Sequence, residues 1–226
     1  MNAFHRTFVA VLFITGLVAV VTEARQAAHT GQQSAPAADA VLADLKTGNE
    51  HHVTKQYKHP NATAARQQEL AAGQHPHATV LACADSRVPP EIVFDQGLGD
   101  LFVVRVAGNV AADDELASIE YAAEHLDVPL IVVLGHQKCG AVTAAVQGGE
   151  AHGHLPALVK LMQPAVVKTK DMQGDRVANA VRANVELVVA QLSSSKPVLA
   201  DLVAKGKVHV VGGVYSLDTG RVDWLR

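Results

Sequence analysis

Two cysteines and one histidine are the residues of this sequence best suited to binding a metal. Cys83 and Cys139 are its only cysteines, and His136 lies three positions before Cys139 in the stretch LGHQKCGA. Two thiolates and an imidazole form a soft ligand set that suits zinc, and three protein ligands leave a fourth tetrahedral position open. Because a catalytic zinc requires an open position, the sequence predicts a Zn²⁺ site at these three residues.

An aspartate and an arginine follow the first cysteine in the stretch LACADSR. Asp85 and Arg87 lie two and four residues after Cys83, and alternate side chains of an extended segment point the same way. Asp85 could be the fourth metal ligand and close the site, or it could stay off the metal and act on substrate. An ordinary turn aspartate and a surface arginine are equally compatible with this spacing.

A disulfide is the alternative explanation for two cysteines in an exported chain. A structural bridge needs neither the charged pair beside Cys83 nor the histidine before Cys139. We therefore favour a metal over a disulfide.

The elements that must position these residues are predicted from hydrophobic patterning. Buried, β-branched runs alternate with amphipathic segments, which predicts an α/β domain with a mainly parallel central β-sheet flanked by helices and a C-terminal hairpin strand. Strands are expected at 78–83, 100–109 and 129–135, with two more within 208–225 joined at the DTG turn; helices are expected at 39–48 ending on Gly48, at 63–73 ending on Gly73, at 113–126 with an aspartate cap, at 155–166, and at 176–205 with a break at 193–197.

The carboxyl ends of the predicted parallel strands are where a ligand would gather. Cys83 and His136 lie at or just after two of these ends, so one rim could hold both. The three-residue spacing of His136 and Cys139 suits a turn that opens a helix at Gly140, and the helix N-terminus should make the Cys139 thiol easier to ionise. Gly108 and Asn109 are expected to serve backbone geometry near the site.

The N-terminal residues have the order of a secretory signal peptide. Arg6 precedes an apolar stretch over about 8–21, and small residues follow up to Ala24, so we predict a signal peptide over 1–24. An uncleaved membrane anchor is the alternative, but the apolar stretch is short for a span.

The remainder of the chain is expected to consist of a linker followed by one domain. Residues 25–38 are small and polar and predict a flexible linker, with a catalytic domain over 39–226. The mature protein is then expected to be periplasmic or secreted, with no membrane span after signal removal. A formal charge of −3 and 4% aromatic content argue against nucleic acid as a partner.

The paired motifs resemble those of a known enzyme family. CADSR, with HQKCGA beginning 53 residues after its cysteine, resembles the C-x-D-x-R and H-x-x-C motifs of the β-class carbonic anhydrases. The likeness continues through GQHP, SIEYAAEHLDVPLIVVLGH and VVGGVYSLDTGRVDWL and covers roughly residues 40–226.

The resemblance implies reversible hydration of CO₂ to bicarbonate and a proton. A zinc-bound hydroxide would attack CO₂, oriented by the aspartate that the arginine holds off the metal. The implied site residues are one zinc per subunit on Cys83, His136 and Cys139, a catalytic dyad of Asp85 and Arg87, substrate-binding Gln74, and Asp85 as fourth ligand in a closed state.

The resemblance also implies a homodimer or tetramer in which the N-terminal helices are the dimer arms. The tryptophan of an inhibitory bicarbonate site found in some members has no clear counterpart, because Trp224 is the only tryptophan and lies in the last predicted strand. That form of control is not expected here.

Two other functions fit the same ligands. Carbonyl sulfide or carbon disulfide hydrolysis would use the same zinc chemistry, and the ligands do not separate it from CO₂ hydration. A zinc- or bicarbonate-binding protein would suit the twelve histidines, but it would not need Asp85 and Arg87 together.

Overall fold

A computed structural model describes residues 37–149 and 152–225 of the chain. The predicted signal peptide over 1–24 and the predicted linker up to residue 36 lie outside the described residues. None of the helices in the described ranges has the length and apolar character needed to span a bilayer.

The described residues form alternating helices and strands, as the patterning predicts. The strands are β1 Ala78–Ala82, β2 Leu101–Arg105, β3 Leu130–His136, β4 His209–Tyr215 and β5 Val222–Trp224; the helices are α1 Ala38–Thr54, α2 Ala64–Leu70, α3 Pro90–Val93, α4 Asp113–His125, α5 Gly140–Gln147, α6 Leu155–Lys168, α7 Arg176–Ser194 and α8 Leu199–Ala204.

The strands make one five-stranded sheet in the order β2-β1-β3-β4-β5. The first four strands are parallel, and β5 returns antiparallel to β4 as the C-terminal hairpin. The predicted fold class is therefore confirmed. Because β1 and β3 are neighbours, their carboxyl ends lie side by side, and these are the ends that carry Cys83 and His136.

The core lies on both faces of the sheet. In β3, Leu130, Val132 and Leu134 pack with Val41 and Leu45 of α1, while the alternating residues of the same strand face helices α4, α7 and α8. Every residue of β1 and β3 is buried, so the strands that hold the site are fixed on both sides.

The first helix is longer than the sequence predicts. It passes through Gly48 and ends at Thr54, where Lys55 adopts the left-handed conformation that often terminates helices. Gly48 is needed for packing, since a Cβ there would lie 1.8 Å from the carbonyl oxygen of Phe94.

Three smaller predictions of element boundaries were also wrong. The second helix ends at Leu70 rather than Gly73, and β2 covers only half of the predicted 100–109. Helix α4 has no aspartate cap: the carboxylate of Glu115 instead accepts the Ala112 N–H, which satisfies one free donor of the first turn.

Candidate metal centre

The three predicted metal ligands meet at the carboxyl rim of the sheet. Cys83 directly follows β1, His136 is the last residue of β3, and Cys139 is the residue before α5. One ligand atom from each lies within 4.8 Å of the other two, and all three residues are buried. The parallel pairing of β1 and β3 thus brings together residues that are 53 positions apart in the sequence.

Both cysteines are free thiols. Their Sγ atoms are 4.0 Å apart, about twice the length of a disulfide bond, which is about 2.05 Å. The Gly108 N–H donates to Cys83 Sγ at 3.3 Å. The disulfide alternative is therefore absent from this structure.

His136 presents a buried nitrogen with no protein partner. Its Nδ1 lies 2.8 Å from the carbonyl oxygen of Gln137, and because a carbonyl only accepts, Nδ1 carries the proton. Its Nε2 is then an acceptor, it is buried, and it has no hydrogen-bond partner among the described residues. Metal-bound histidines use this arrangement, in which a hydrogen bond to one nitrogen orients the other toward the ion.

A hydrogen bond joins the two sulfurs. This contact with Cys139 is the main cause that lowers the pKa of Cys83 to about 4, although burial opposes the shift. The same contact and burial raise the pKa of Cys139, whereas the backbone N–H groups of Ala141 and Val142 at the start of α5 lower it, as expected of a helix N-terminus. Two thiolates this close repel each other unless a cation lies between them. The donor set, with its unpartnered nitrogen, therefore fits a divalent metal such as zinc.

Asp85 and Arg87 form a bidentate ion pair beside the cluster. Arg87 donates from Nε to Oδ1 at 2.8 Å and from Nη2 to Oδ2 at 2.7 Å, and its main-chain N–H also reaches Oδ1 at 3.0 Å. These bonds, the guanidinium ones first, hold the pKa of the Asp85 carboxyl well below its usual range. Asp85 Oδ2 lies 3.7 Å from His136 Nε2, so the carboxylate borders the cluster.

The ion pair arises from a turn and not from an extended segment. The Val88 N–H donates to the Asp85 carbonyl at 3.1 Å, so the chain reverses at residues 86–87 and brings the Arg87 backbone onto the Asp85 carboxylate. Our expectation of an extended run from Cys83 to Arg87 was wrong, because the sheet ends at Ala82.

Gln74 lies apart from the cluster within the protomer. It is exposed, in the segment between α2 and β1, and the described residues include no hydrogen bond between it and the cluster. Its role toward substrate stays a prediction.

The glycine predicted to shape the backbone near the site does so through a defined contact. Gly108 has φ +79°, and its N–H faces Cys83 Sγ while its carbonyl accepts from Asn184 Nδ2 at 2.8 Å. The contribution of Asn184, like that of Arg105 described below, was missed at the sequence level. Both side chains donate to backbone carbonyl oxygens. Every residue has such an oxygen, so the sequence does not indicate which ones are bound.

Known proteins with similar sequences identify the family of this chain. The carbonic anhydrase family model matches residues 78–222, the range from β1 to β5 that contains the cluster. The chain belongs to the carbonic anhydrase family. Carbonic anhydrase 2 of Mycobacterium tuberculosis is 44% identical over 181 residues, covering 78% of this chain and 87% of that protein, and the carbonic anhydrase of Mycolicibacterium smegmatis is 42% identical over 183 residues, covering 79% and 89%.

Solved structures confirm the β-class fold. The β-carbonic anhydrase CafA of Aspergillus fumigatus is 28% identical with a TM-score of 0.64, covering 83% of this chain and 89% of that one. The β-carbonic anhydrase CcaA is 26% identical with a TM-score of 0.63, covering 70% and 87%. One chain from the crystal structures of two tetrameric β-carbonic anhydrases of Sordaria macrospora shares the fold at 24% identity, with a TM-score of 0.66 and coverage of 93% of this chain and 96% of that one.

Proposed function

We propose that this chain catalyses the zinc-dependent, reversible hydration of CO₂ to bicarbonate and a proton. The observation that carries the proposal is the buried Cys83, His136 and Cys139 cluster, whose ligand atoms all lie within 4.8 Å, in a carbonic anhydrase fold. The partnerless His136 Nε2 supports a metal there, and the curated relatives are named carbonic anhydrases.

Zinc would be held by the two sulfurs and by Nε2 of the histidine. When bound, zinc supplies Lewis-acid chemistry that makes a water molecule nucleophilic near neutral pH. CO₂ is apolar, so the protein needs no charged pocket to attract it. The protein instead has to orient the water for attack.

Asp85 is the residue we assign to that task. Its carboxylate is kept anionic by Arg87 and borders the cluster, so it can accept a hydrogen bond from the water and fix the direction of a lone pair. Loss of the ion pair would free the carboxylate to become the fourth ligand and close the site. Gln74 would donate to a substrate oxygen as charge develops there, with the partner subunit completing the site in a homodimer.

The test compares metal content and CO₂ hydration in the same preparations. Purified protein is loaded with zinc, its metal is quantified, and hydration is followed by stopped-flow with a pH indicator. We expect one zinc per subunit and turnover in the native chain, and loss of both in His136→Ala. His52→Gln, which changes another buried histidine outside the cluster, should keep its zinc. A zinc-loaded native chain without hydration would refute the proposal.

The predicted leader gives a separate proposal about location. We infer that residues 1–24 direct export and are removed, so that the enzyme works in a periplasmic or secreted setting. Mass spectrometry of the protein expressed from its full reading frame should find a mature N-terminus at Arg25. The proposal would be contradicted if all of the protein were found in the cytoplasmic fraction and still began at Met1.

A further inference from the structure

Arg105 connects two backbone carbonyls of the segment that carries both the metal ligand and the acid. This last residue of β2 donates from Nε to the Cys83 carbonyl at 3.0 Å and from Nη2 to the Asp85 carbonyl at 2.6 Å. The two carbonyls lie on either side of Ala84. One planar guanidinium therefore holds the main chain of Cys83 and of Asp85, the two residues that supply the sulfur and the carboxylate.

The Arg105 contacts lie just after the last residues of β1 and β2 that pair in the sheet. The Val106 N–H donates to the Ala82 carbonyl at 3.1 Å, and the Ala84 N–H donates to the Val106 carbonyl at 3.3 Å. β1 itself ends at Ala82, and beyond the Ala84 bond the segment reverses at residues 86–87. The Arg105 side chain thus continues the link between β2 and the segment after the backbone pairing has stopped.

The two arginines around Asp85 have different targets. Arg87 binds the carboxylate, whereas Arg105 binds main-chain oxygens and has no hydrogen bond to the sulfur or the carboxylate among the described residues. The contacts of Arg105 therefore fix the placement of its neighbours.

We propose that Arg105 is a positioning residue that sets the placement of the Cys83 sulfur relative to the Asp85 carboxylate, and so contributes to both metal affinity and turnover. The part that concerns turnover rests on the proposed function. The part that concerns affinity depends only on a metal binding at the cluster.

A lysine should replace Arg105 poorly. An ammonium is a compact charge without the fixed fork of a guanidinium, so it can hold one carbonyl well but not both in the observed geometry. Arg105→Lys should then fall between the native chain and Arg105→Met, which keeps an unbranched apolar side chain but no donor.

The first experiment measures metal binding in native protein, Arg105→Met, Arg105→Lys and the control Arg182→Met. Arg182 is an exposed arginine of α7 paired with Glu186. Competition with a chromophoric zinc chelator should show affinity about 10- to 100-fold weaker in Arg105→Met, the usual effect of losing a residue that orients a ligand, and unchanged in Arg182→Met. The Co²⁺-substituted Arg105→Met protein should have an altered visible absorption spectrum.

Urea unfolding of the metal-free proteins separates positioning from general destabilisation. We expect similar midpoints for Arg105→Met and Arg182→Met. Native zinc affinity together with a native Co²⁺ spectrum in Arg105→Met would overturn the proposal. The proposal would also be overturned if Arg105→Met and Arg105→Lys lost the same amount of zinc affinity and both had a lower unfolding midpoint than the native chain. General destabilisation would then explain the affinity loss.

The second experiment asks whether Arg105 acts on turnover through Asp85. In zinc-loaded Arg105→Met, kcat should fall about 10- to 100-fold, as a displaced reacting group would cause, with KM nearly unchanged. Added to Asp85→Asn, the same substitution should lower kcat little further, because residues that act as a unit are not additive. Fully additive losses would overturn the role in turnover. A native chain without hydration would refute the proposed function instead, and the affinity and Co²⁺ measurements would then decide the role of Arg105.

Discussion

Asp85 differs from its neighbours in the site because its charge is fixed without a metal. Three donors of Arg87 hold its carboxylate, whereas no arginine or lysine among the described residues donates a hydrogen bond to the two sulfurs. Removing the Asp85 charge should therefore disturb the reaction without removing a ligand.

Asp85→Asn is expected to keep its zinc and lose most of its turnover. The amide has nearly the same shape as the carboxylate but no charge, so it loses the ion pair with Arg87 and is a weaker hydrogen-bond acceptor, and a reacting group that is no longer oriented costs about 10²-fold in rate. Stopped-flow CO₂ hydration with zinc quantified on the same samples checks this. Asp218→Asn, which changes an exposed aspartate paired with Lys138, is the matched control. Zinc loss in Asp85→Asn would show that Asp85 is mainly a ligand.

The residue types reveal the donors of the site but not their supports. Cysteine, histidine and aspartate at the ends of buried strands predict a cluster, since few other side chains bind zinc. The Gly108 N–H, the Gln137 carbonyl and the carbonyls held by Arg105 are main-chain groups. Every residue carries these groups, so only the folded path of the chain reveals which of them are used.

At the scale of elements, α1 shows why helix boundaries were the weakest predictions. A glycine after an amphipathic run is a common local stop signal, yet α1 continues through Gly48 because the backbone of Phe94 packs against it. The strands were predicted better: long β-branched runs have few alternatives once both faces must be buried.

Gly48→Ala is expected to destabilise the protein strongly. The new methyl group would meet the Phe94 carbonyl at 1.8 Å, so α1 must shift away from α3, and overpacking of this kind costs about 1–3 kcal/mol or more. Gly73→Ala is the control, because a Cβ there has nothing within 4 Å. Urea unfolding should show a lower midpoint for Gly48→Ala alone, and equal midpoints for both variants would contradict the packing explanation.

The same helix carries a histidine that should make stability depend on pH. His52 is buried, with Nε2 2.9 Å from the Tyr215 hydroxyl and Nδ1 2.8 Å from the Tyr57 hydroxyl. Burial lowers its pKa, with a smaller contribution from Lys55. As pH falls through about 6.5, the unfolded chain therefore takes up a proton before the folded chain does. The free energy of unfolding should then decrease below that pH, by at most about 1.4 kcal/mol per pH unit for this one group.

Urea unfolding at pH 7.5 and pH 5.5 checks the contribution of His52. His52→Gln should lose less stability between these two pH values than the native chain does. His209→Gln, which changes a half-exposed histidine at the start of β4, should keep the native dependence. An unchanged pH dependence in His52→Gln would assign the effect to other groups.

At the scale of the whole molecule, the two edges of the sheet differ in length and exposure. The three-residue hairpin strand β5 forms one edge, whereas the five-residue strand β2 forms the other, and the first four residues of β2 are only half-buried. Next to it, Tyr121 of α4 is 47% exposed and packs over Phe102. An edge strand with apolar neighbours is a surface that proteins usually cover.

We expect a second copy of the chain to cover this edge, in agreement with the dimer that the sequence resemblance implies. Sedimentation velocity at micromolar concentration should give about twice the mass of one chain, or about four times for a tetramer built from such dimers, and Tyr121→Lys should lower this mass because it places a charge in the contact. Val167→Lys is the matched control, since Val167 is 63% exposed on α6.

If Val167→Lys dissociates the dimer and Tyr121→Lys does not, the partner lies against α6, and the edge of β2 is covered by something other than a second copy. A native chain that sediments as a monomer would contradict the dimer itself, and Gln74 would then have to reach substrate from within one protomer.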